Sequence, residues 1–234
     1  MTNAEFELAE QFVLHTRKHC FVTGKAGTGK TTLLKGVASA TQKSVVVVAP
    51  TGVAAVNAGG VTIHSMFGLP LTCFVPSDDV IDPNIATNRH RLLGERLRLT
   101  REKLQVLREM DLLIIDEVSM VRADIFDAID VVLRHVRGNR QPFGDAQVLL
   151  IGDVHQLPPV VKEAEWQILK TYYRSPYFFD SRVLPAETID PVLDFLRENA
   201  NAKLAAIRKG TGDRFDYNDI RMIVAHQAHC GSRE

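Results

Sequence analysis

The run Gly24-Lys25-Ala26-Gly27-Thr28-Gly29-Lys30-Thr31 meets every fixed position of the pattern G-x-x-x-x-G-K-[ST]. The pattern has a physical reason. Glycines let successive backbone N–H groups turn inward around phosphate oxygens. A helix that starts after the loop adds the positive end of its dipole. Lys30 supplies a mobile positive charge for β- and γ-phosphates, and the Thr31 hydroxyl is placed to ligate Mg²⁺. Gly24, Lys25, Ala26, Gly27, Thr28, Gly29, Lys30, Thr31 and Thr32 are therefore the candidate ATP-binding residues. An apolar run before the loop and a helical stretch after it give the motif its required context.

A second run, Leu112-Leu113-Ile114-Ile115-Asp116-Glu117, delivers two adjacent carboxylates at the end of a buried strand, where α/β sheets bind ligands. Asp116 is the candidate Mg²⁺ ligand, through water. Glu117 is the candidate that orients and deprotonates an attacking water. Adjacent acids elsewhere cap helices or face solvent. Downstream of a phosphate loop they point to ATP hydrolysis rather than nucleotide storage.

A third run, Gly152-Asp153-Val154-His155-Gln156-Leu157-Pro158-Pro159, also follows a buried strand. Gln156 there can hydrogen-bond a γ-phosphate and the attacking water, then relax after hydrolysis. The prolines stiffen the outgoing loop. From the residues alone, a plain solvated turn is an equal reading. The fourth stretch is Ala49-Pro50-Thr51-Gly52-Val53-Ala54-Ala55, with Thr62-Ile63-His64-Ser65-Met66-Phe67 after it. Small residues and hydroxyls at a strand end can approach a nucleic-acid backbone, so Thr51, His64 or Ser65 can meet phosphates. The same residues also read as a turn, a helix cap and an ordinary packed histidine.

The elements that must position these groups alternate. Helical spacing is expected over 6–15, 31–40 and 123–135, and buried strands over 20–23, 44–49, 112–115 and 147–151. Short strands alternating with helices predict an α/β fold, a parallel sheet with helices on both faces. The glycine pair Gly59-Gly60 precedes a short extended run, 61–64. Residues 70–83 are rich in turn formers. Residues 88–108 are basic with a partial helical stripe of leucines. From about 185 the pattern weakens, with helices expected over 192–207 and 219–229 and a break at 210–213.

Composition limits the alternatives. Apolar residues are 45% and charged residues 24% of the 234, ordinary for a folded soluble domain and against a wholly disordered chain. Basic and acidic side chains number 28 each, so no global charge drives nucleic-acid binding, though a local patch remains open. No run reaches the ~18 apolar residues of a membrane span. The acidic start, 1–11, is neither a secretory signal nor a mitochondrial presequence. Cys20, Cys73 and Cys230 lie too far apart for a clustered zinc site and suit a reducing compartment. His226-x-x-His229-Cys230 is half a metal motif with no second ligand pair apparent. Trp166 reads as a packing residue rather than a base-stacking platform.

Taken in order, GKAGTGKTT (24–32), APTGVAAVNAGGVTIHS (49–65), LLIIDEVSM (112–120) and IGDVHQLPPV (151–160) resemble the first motor domain of superfamily-one DNA helicases of the Pif type (petite integration frequency), close to the RecD-like group. The resemblance spans residues 20 to about 184 and is especially close to bacterial members, through 119–130. It implies a RecA-like P-loop NTPase fold over 1–184, ATP and Mg²⁺ as cofactors, 5′→3′ translocation, and unwinding of single-strand–duplex junctions. The family works in DNA repair, recombination and telomere maintenance. It implies catalytic roles for Lys30, Glu117 and Gln156, metal contact at Thr31 and Asp116, and a single-strand track along Thr51, Gly52, His64 and Ser65. Residues 70–108 sit where such helicases insert a small wedge, and their basic side chains can guide displaced DNA. An exposed, salt-bridged helix is the alternative there. A cytoplasmic, nucleoid-associated location and no membrane partner follow from the same resemblance.

The family pattern carries two RecA-like domains, the second supplying arginine fingers. After Gln156 only 78 residues follow, too few for a second such unit, and no Tyr-Arg-Gln element follows Phe179. The expectation is a chain with a short helical tail at 185–234 whose second motor half is missing or is supplied by another chain. The competing expectation is a non-catalytic, nucleotide-dependent DNA-binding or regulatory remnant. A small-molecule kinase fits poorly, because it leaves 49–65 and 151–160 unexplained.

Overall fold

The apolar runs and capping residues set the elements in chain order. First come α1 (Ala4–His15), β1 (Cys20–Thr23), α2 (Lys30–Ala40), β2 (Val45–Ala49), α3 (Gly52–Ala58), β3 (Val61–Thr62) and α4 (Ile63–Phe67). Next are β4 (Cys73–Val75), β5 (Ala86–Asn88) and the short α5 (Arg89–Arg91), which runs into a π turn at Leu92–Arg96. Then follow α6 (Arg101–Glu109), β6 (Leu112–Ile115), a 3₁₀ turn at Val118–Met120, α7 (Ala123–Arg137), β7 (Gln147–Gly152) and α8 (Glu163–Leu169). The structure, a computed structural model, describes residues 4–25, 27–97, 99–153, 159–173, 194–195, 199 and 204–211. The chain divides into two units, Met1–Phe178 and Phe179–Glu234. In the second unit a helix spans Leu204–Gly210, so it runs past the end of the stretch expected at 192–207 and includes Gly210, the first residue of the expected break; 212–213 lie outside the described residues. The half metal motif at 226–230 and the stretch 219–229 lie outside the described residues.

The main sheet has the order β1-β7-β6-β2-β3, and every neighbouring pair is parallel. Its central strand β6 is buried at all four residues, as a parallel strand covered on both faces should be. Leu112 and Ile114 join Leu149, Ile151, Val13, Leu33, Leu34 and Val37 in one apolar cluster. Strand residues alternate faces, so Leu113 and Ile115, equally buried, point to the other side. Helix α7 buries Ile125, Ile129, Val132 and Leu133, the expected stripe, and ends on Gly138 in the left-handed region. At the lower edge of the sheet Lys43 Nζ donates to the Val13 and Thr16 carbonyls and to Gln147 Oε1, at 2.5, 2.7 and 2.7 Å. That knot ties the end of α1 to the base of β7.

Three local readings differ from the fold. The extended run expected over 61–64 stops at Thr62, because its hydroxyl accepts the Ser65 N–H at 3.3 Å and starts α4. The turn-rich stretch 70–83 holds a buried strand, β4, paired in parallel with β5. At three residues, Cys73-Phe74-Val75 is too short to show a period. The basic stretch 88–108 is not one helix: Thr100 accepts the Lys103 N–H at 3.3 Å and begins α6 afresh. Trp166 packs as expected, against a cluster of Cys73, Val75, Ala86, Ala123, Leu169 and Tyr173. Burial there pushes the Cys73 thiol up to about 12, so it acts as an apolar group at neutral pH.

Gly60 gives a direct test of how tightly β3 returns onto β2. A Cβ on Gly60 would lie 2.2 Å from the Val47 carbonyl oxygen, a backbone atom of β2 with no room to retreat. The Gly60→Ala variant is expected to lose about 2–3 kcal/mol through overpacking, read as a fall in Tm of about 5–10 °C at this size. A Tm within 2 °C of the parent would show that the approach relaxes freely.

Candidate active site

β1 delivers the chain to Gly24, and the loop that follows closes on itself. The Thr28 N–H and hydroxyl both donate to the Lys25 carbonyl, at 3.3 and 2.8 Å. A Cβ on Gly24 would stand 2.7 Å from Thr28 Oγ1, so glycine is what admits that hydroxyl. Gly27 and Gly29 have φ of 79° and 90°, the left-handed region. Gly29 caps α2 without a side-chain hydrogen bond, and no acid occupies the first turn. The helix thus presents its N–H groups uncapped by side chains, the arrangement that receives an anion. Lys30 Nζ donates to the Gly24 and Lys25 carbonyls, at 2.5 and 3.0 Å. Thr31 and Thr32 are exposed in the same turn. Phe6 of α1 lies beside the loop, its ring edge 4.0 Å from the position of a Cβ on Gly29. Ala26 lies outside the described residues.

At the end of β6 the Asp116 N–H donates to the Val48 carbonyl at 2.9 Å, and the buried Asp116 carboxylate accepts the Glu117 N–H at 3.0 Å. Glu117 itself has φ 51° and ψ 44°. A left-handed backbone costs a non-glycine residue roughly 1–2 kcal/mol. Such strain concentrates where a side chain must be aimed. Burial raises the Asp116 pKa above its ordinary value, against the pull of the neighbouring N–H and the Lys30 charge. Burial and the Asp116 charge raise Glu117, again opposed by Lys30. Asp153, at the end of β7 and only 4% exposed, adds to the negative field on Glu117. Gly152 lets β7 press on the turn after Glu117: a Cβ there would be 3.1 Å from the Val118 nitrogen.

The strand order explains the meeting. Because β1, β7 and β6 are neighbours, the loop, Asp153 and the Asp116–Glu117 pair emerge at one edge of the sheet. Asp153 was not among the candidate site residues. Its only signal in the sequence is an acid directly after a buried strand, shared with Asp116. Gln156 lies outside the described residues.

β2 and β3 continue the same edge and bring the fourth stretch alongside. Thr51 Oγ1 accepts the Ala54 N–H at 3.2 Å and caps α3, whose first residue is Gly52. The capping reading therefore holds, and the hydroxyl proton remains to donate. His64, half-buried in α4, is held below its usual pKa by burial and then by the positive charge of Arg122. Ser65 is exposed. Lys103 of α6 reaches across to it, donating to its carbonyl at 2.5 Å and its hydroxyl at 3.3 Å. In the sequence Lys103 was one of many basic residues in 88–108, with nothing to single it out.

A family profile described as PIF1-like helicase matches residues 4–181. The ATP-dependent DNA helicase PIF7 of Trypanosoma brucei brucei is 39% identical over 171 residues, covering 70% of this chain and 16% of that protein. The ATP-dependent DNA helicase Pif1 of a Psychrobacter species is 35% identical over 172 residues, 72% of this chain and 24% of that protein. Among solved structures, Bacteroides Pif1 in complex with ADP-AlF3 and single-stranded DNA shares 42% identity with a TM-score of 0.67, over 78% of this chain and 39% of that one. The chain thus spans about a quarter or less of these two curated relatives. Among the described residues no helix is long and apolar enough to cross a membrane.

Proposed function

The chain belongs to the PIF1-like helicase family, and from that premise we propose that residues 1–184 are the first RecA-like motor domain of an ATP-dependent DNA helicase. The observation that carries this reading is the sheet edge. One half gathers the phosphate loop with Asp116, Glu117 and Asp153, and the other half gathers Thr51, His64 and Ser65. In this reading nucleotide chemistry and strand handling share one sheet edge.

In the proposed mechanism the glycine loop and the first turn of α2 seat the phosphates. Lys30 leaves the Gly24 and Lys25 carbonyls and follows the β- and γ-phosphate oxygens. Glu117, already biased toward holding a proton, receives one from the attacking water. Gln156 positions that water against the γ-phosphate. Thr31 and Asp116 are the residues that would hold Mg²⁺, one hydroxyl and one buried carboxylate set against an otherwise unbalanced acid cluster. Such a set would suit a hard divalent cation, and bound there the ion would supply positive charge beside the phosphates. The 70–108 segment is the proposed wedge, and unwinding belongs to an assembly that includes a second RecA-like unit. The transition-state arginine would come from that unit, whose absence from a reaction costs about 10³–10⁵ in rate.

The strand track is tested by anisotropy of a labelled oligodeoxythymidylate at low salt. His64→Ala is expected to weaken binding about fivefold, a contact of roughly 1 kcal/mol, with Tm unchanged. Equal affinity in the folded variant would remove His64 from the track. No binding by the parent chain would remove the track itself.

A further inference from the structure

One buried ionic cluster is not used by this mechanism. Arg122 is 13% exposed at its side chain, Asp124 1% and Glu165 9%. Arg122 Nε and Nη2 donate to the two oxygens of Asp124, at 2.8 and 2.6 Å. Arg122 Nη1 donates to Glu165 Oε2 at 3.1 Å. The bridge stands beside the apolar cluster formed by the start of α7, by β4 and by α8. Stability alone is a weak reason for it, since a well-packed apolar replacement of a buried ion pair is often neutral or stabilising.

Each arm of the bridge leads to a different element. Along the chain, Arg122 follows Glu117 through one tight turn. The Met120 N–H donates to the Glu117 carbonyl and the Val121 N–H to the Val118 carbonyl, both at 3.0 Å. Gly152, next to Asp153, packs on that same turn. Through Glu165 the bridge grips α8, because Glu165 Oε2 also accepts the Lys162 N–H at 3.1 Å. Helix α8 is the first described helix after β7 and follows Gln156 in the chain. Through Asp124 it grips β4, because Asp124 Oδ2 also accepts the Phe74 N–H at 2.9 Å. β4 follows α4, which carries His64 and Ser65. His64 also lies in the field of both Arg122 and Asp124.

We propose that Arg122 is a positioning residue that couples the nucleotide site to the single-strand track, by holding the Glu117 turn, α8 and β4 in one register. This rests on the functional reading above. The physical reason is the cost of a partial arrangement. If the Glu117 turn or α8 shifts on nucleotide binding, Arg122 cannot stay behind without leaving a buried charge unpaired. The whole bridge moves or stays as a unit, and β4 and α4 move or stay with it. Packed, fully bonded junctions of this kind have discrete arrangements rather than a continuous range.

The test measures coupling directly. Binding of a labelled oligodeoxythymidylate is titrated with and without ADP-aluminium fluoride, and nucleotide binding with and without the oligonucleotide. Linkage requires the same factor in both directions. The parent chain is expected to show a factor of about 5 or more. Arg122→Gln and Glu165→Gln are expected to reduce it to within twofold of unity, while each ligand alone binds within about twofold of the parent. Glu165→Gln keeps an oxygen for the Lys162 N–H and removes only the charge, so it decides the matter if Arg122→Gln does not fold. An unchanged factor in a folded variant overturns the proposal. So does a parent that binds both ligands with no coupling, an outcome that leaves the functional reading intact. A parent that binds neither ligand defeats that reading first and the coupling with it.

Discussion

Lys30→Ala is expected to lower ATP turnover at least about 100-fold, the usual loss when a charge aimed at the transition state is removed. The expectation rests on what surrounds the ammonium group. Its present partners are two loop carbonyls, which water can replace. Across the site stand Asp116, Glu117 and Asp153, two of them nearly fully buried. Lys30 is the cation whose charge offsets the raised pKa values of Asp116 and Glu117. Without it, a triphosphate arriving at α2 meets an uncompensated acid cluster, so nucleotide affinity falls together with the rate. The side chain is only partly buried, so Tm should stay within about 2 °C, as for other substitutions away from the core. Equal turnover in parent and variant would show that the hydrolysis comes from a contaminant or from another site.

Glu117→Gln is expected to separate binding from chemistry. Glutamine matches the volume and can keep the strained backbone at φ 51° about as well as glutamate. It cannot take a proton from water. Loss of a general base costs about 10²–10⁴ in rate. Removing one negative charge beside Asp116 leaves nucleotide affinity equal or tighter, and it relieves the repulsion that raises Glu117 in the parent. Single-turnover hydrolysis, paired with equilibrium binding of a fluorescent ATP analogue, reads the two effects apart. A variant that hydrolyses like the parent would place the base elsewhere, and Asp153, whose charge also reaches Glu117, is then a described alternative.

What the sequence disclosed here follows the range of the interactions involved. The phosphate loop was legible because its geometry is local: left-handed Gly27 and Gly29 and the tight approach at Gly24 are set by residues next to them. The strands β1, β6 and β7 were legible as dense apolar runs, and their ends carried the acids. The order in which those strands pair was not legible, since β1 lies beside β7 although more than a hundred residues separate them. The pairing of β7 with β6 is what makes Asp153 a neighbour of Glu117. The left-handed backbone of Glu117 has no sequence signal, because glutamate does not ordinarily mark such a turn. Thr51 and Thr62 show the limit of side-chain chemistry read in isolation. Both hydroxyls already accept a helix N–H, a use the capping rule anticipates and the strand-track reading does not. The Arg122 bridge joins residues 43 positions apart, and nothing in the local sequence of either partner announces it.

The measurement closest to the central claim is steady-state ATP hydrolysis by the purified chain, with and without single-stranded DNA, with Lys30→Ala as the blank. The account predicts slow turnover in Mg-ATP alone, a clear rise on adding DNA, and loss of both in the blank. Turnover indistinguishable from the blank at saturating Mg-ATP and DNA would contradict it, and would leave the phosphate loop of this chain as a nucleotide-binding remnant rather than half of a motor.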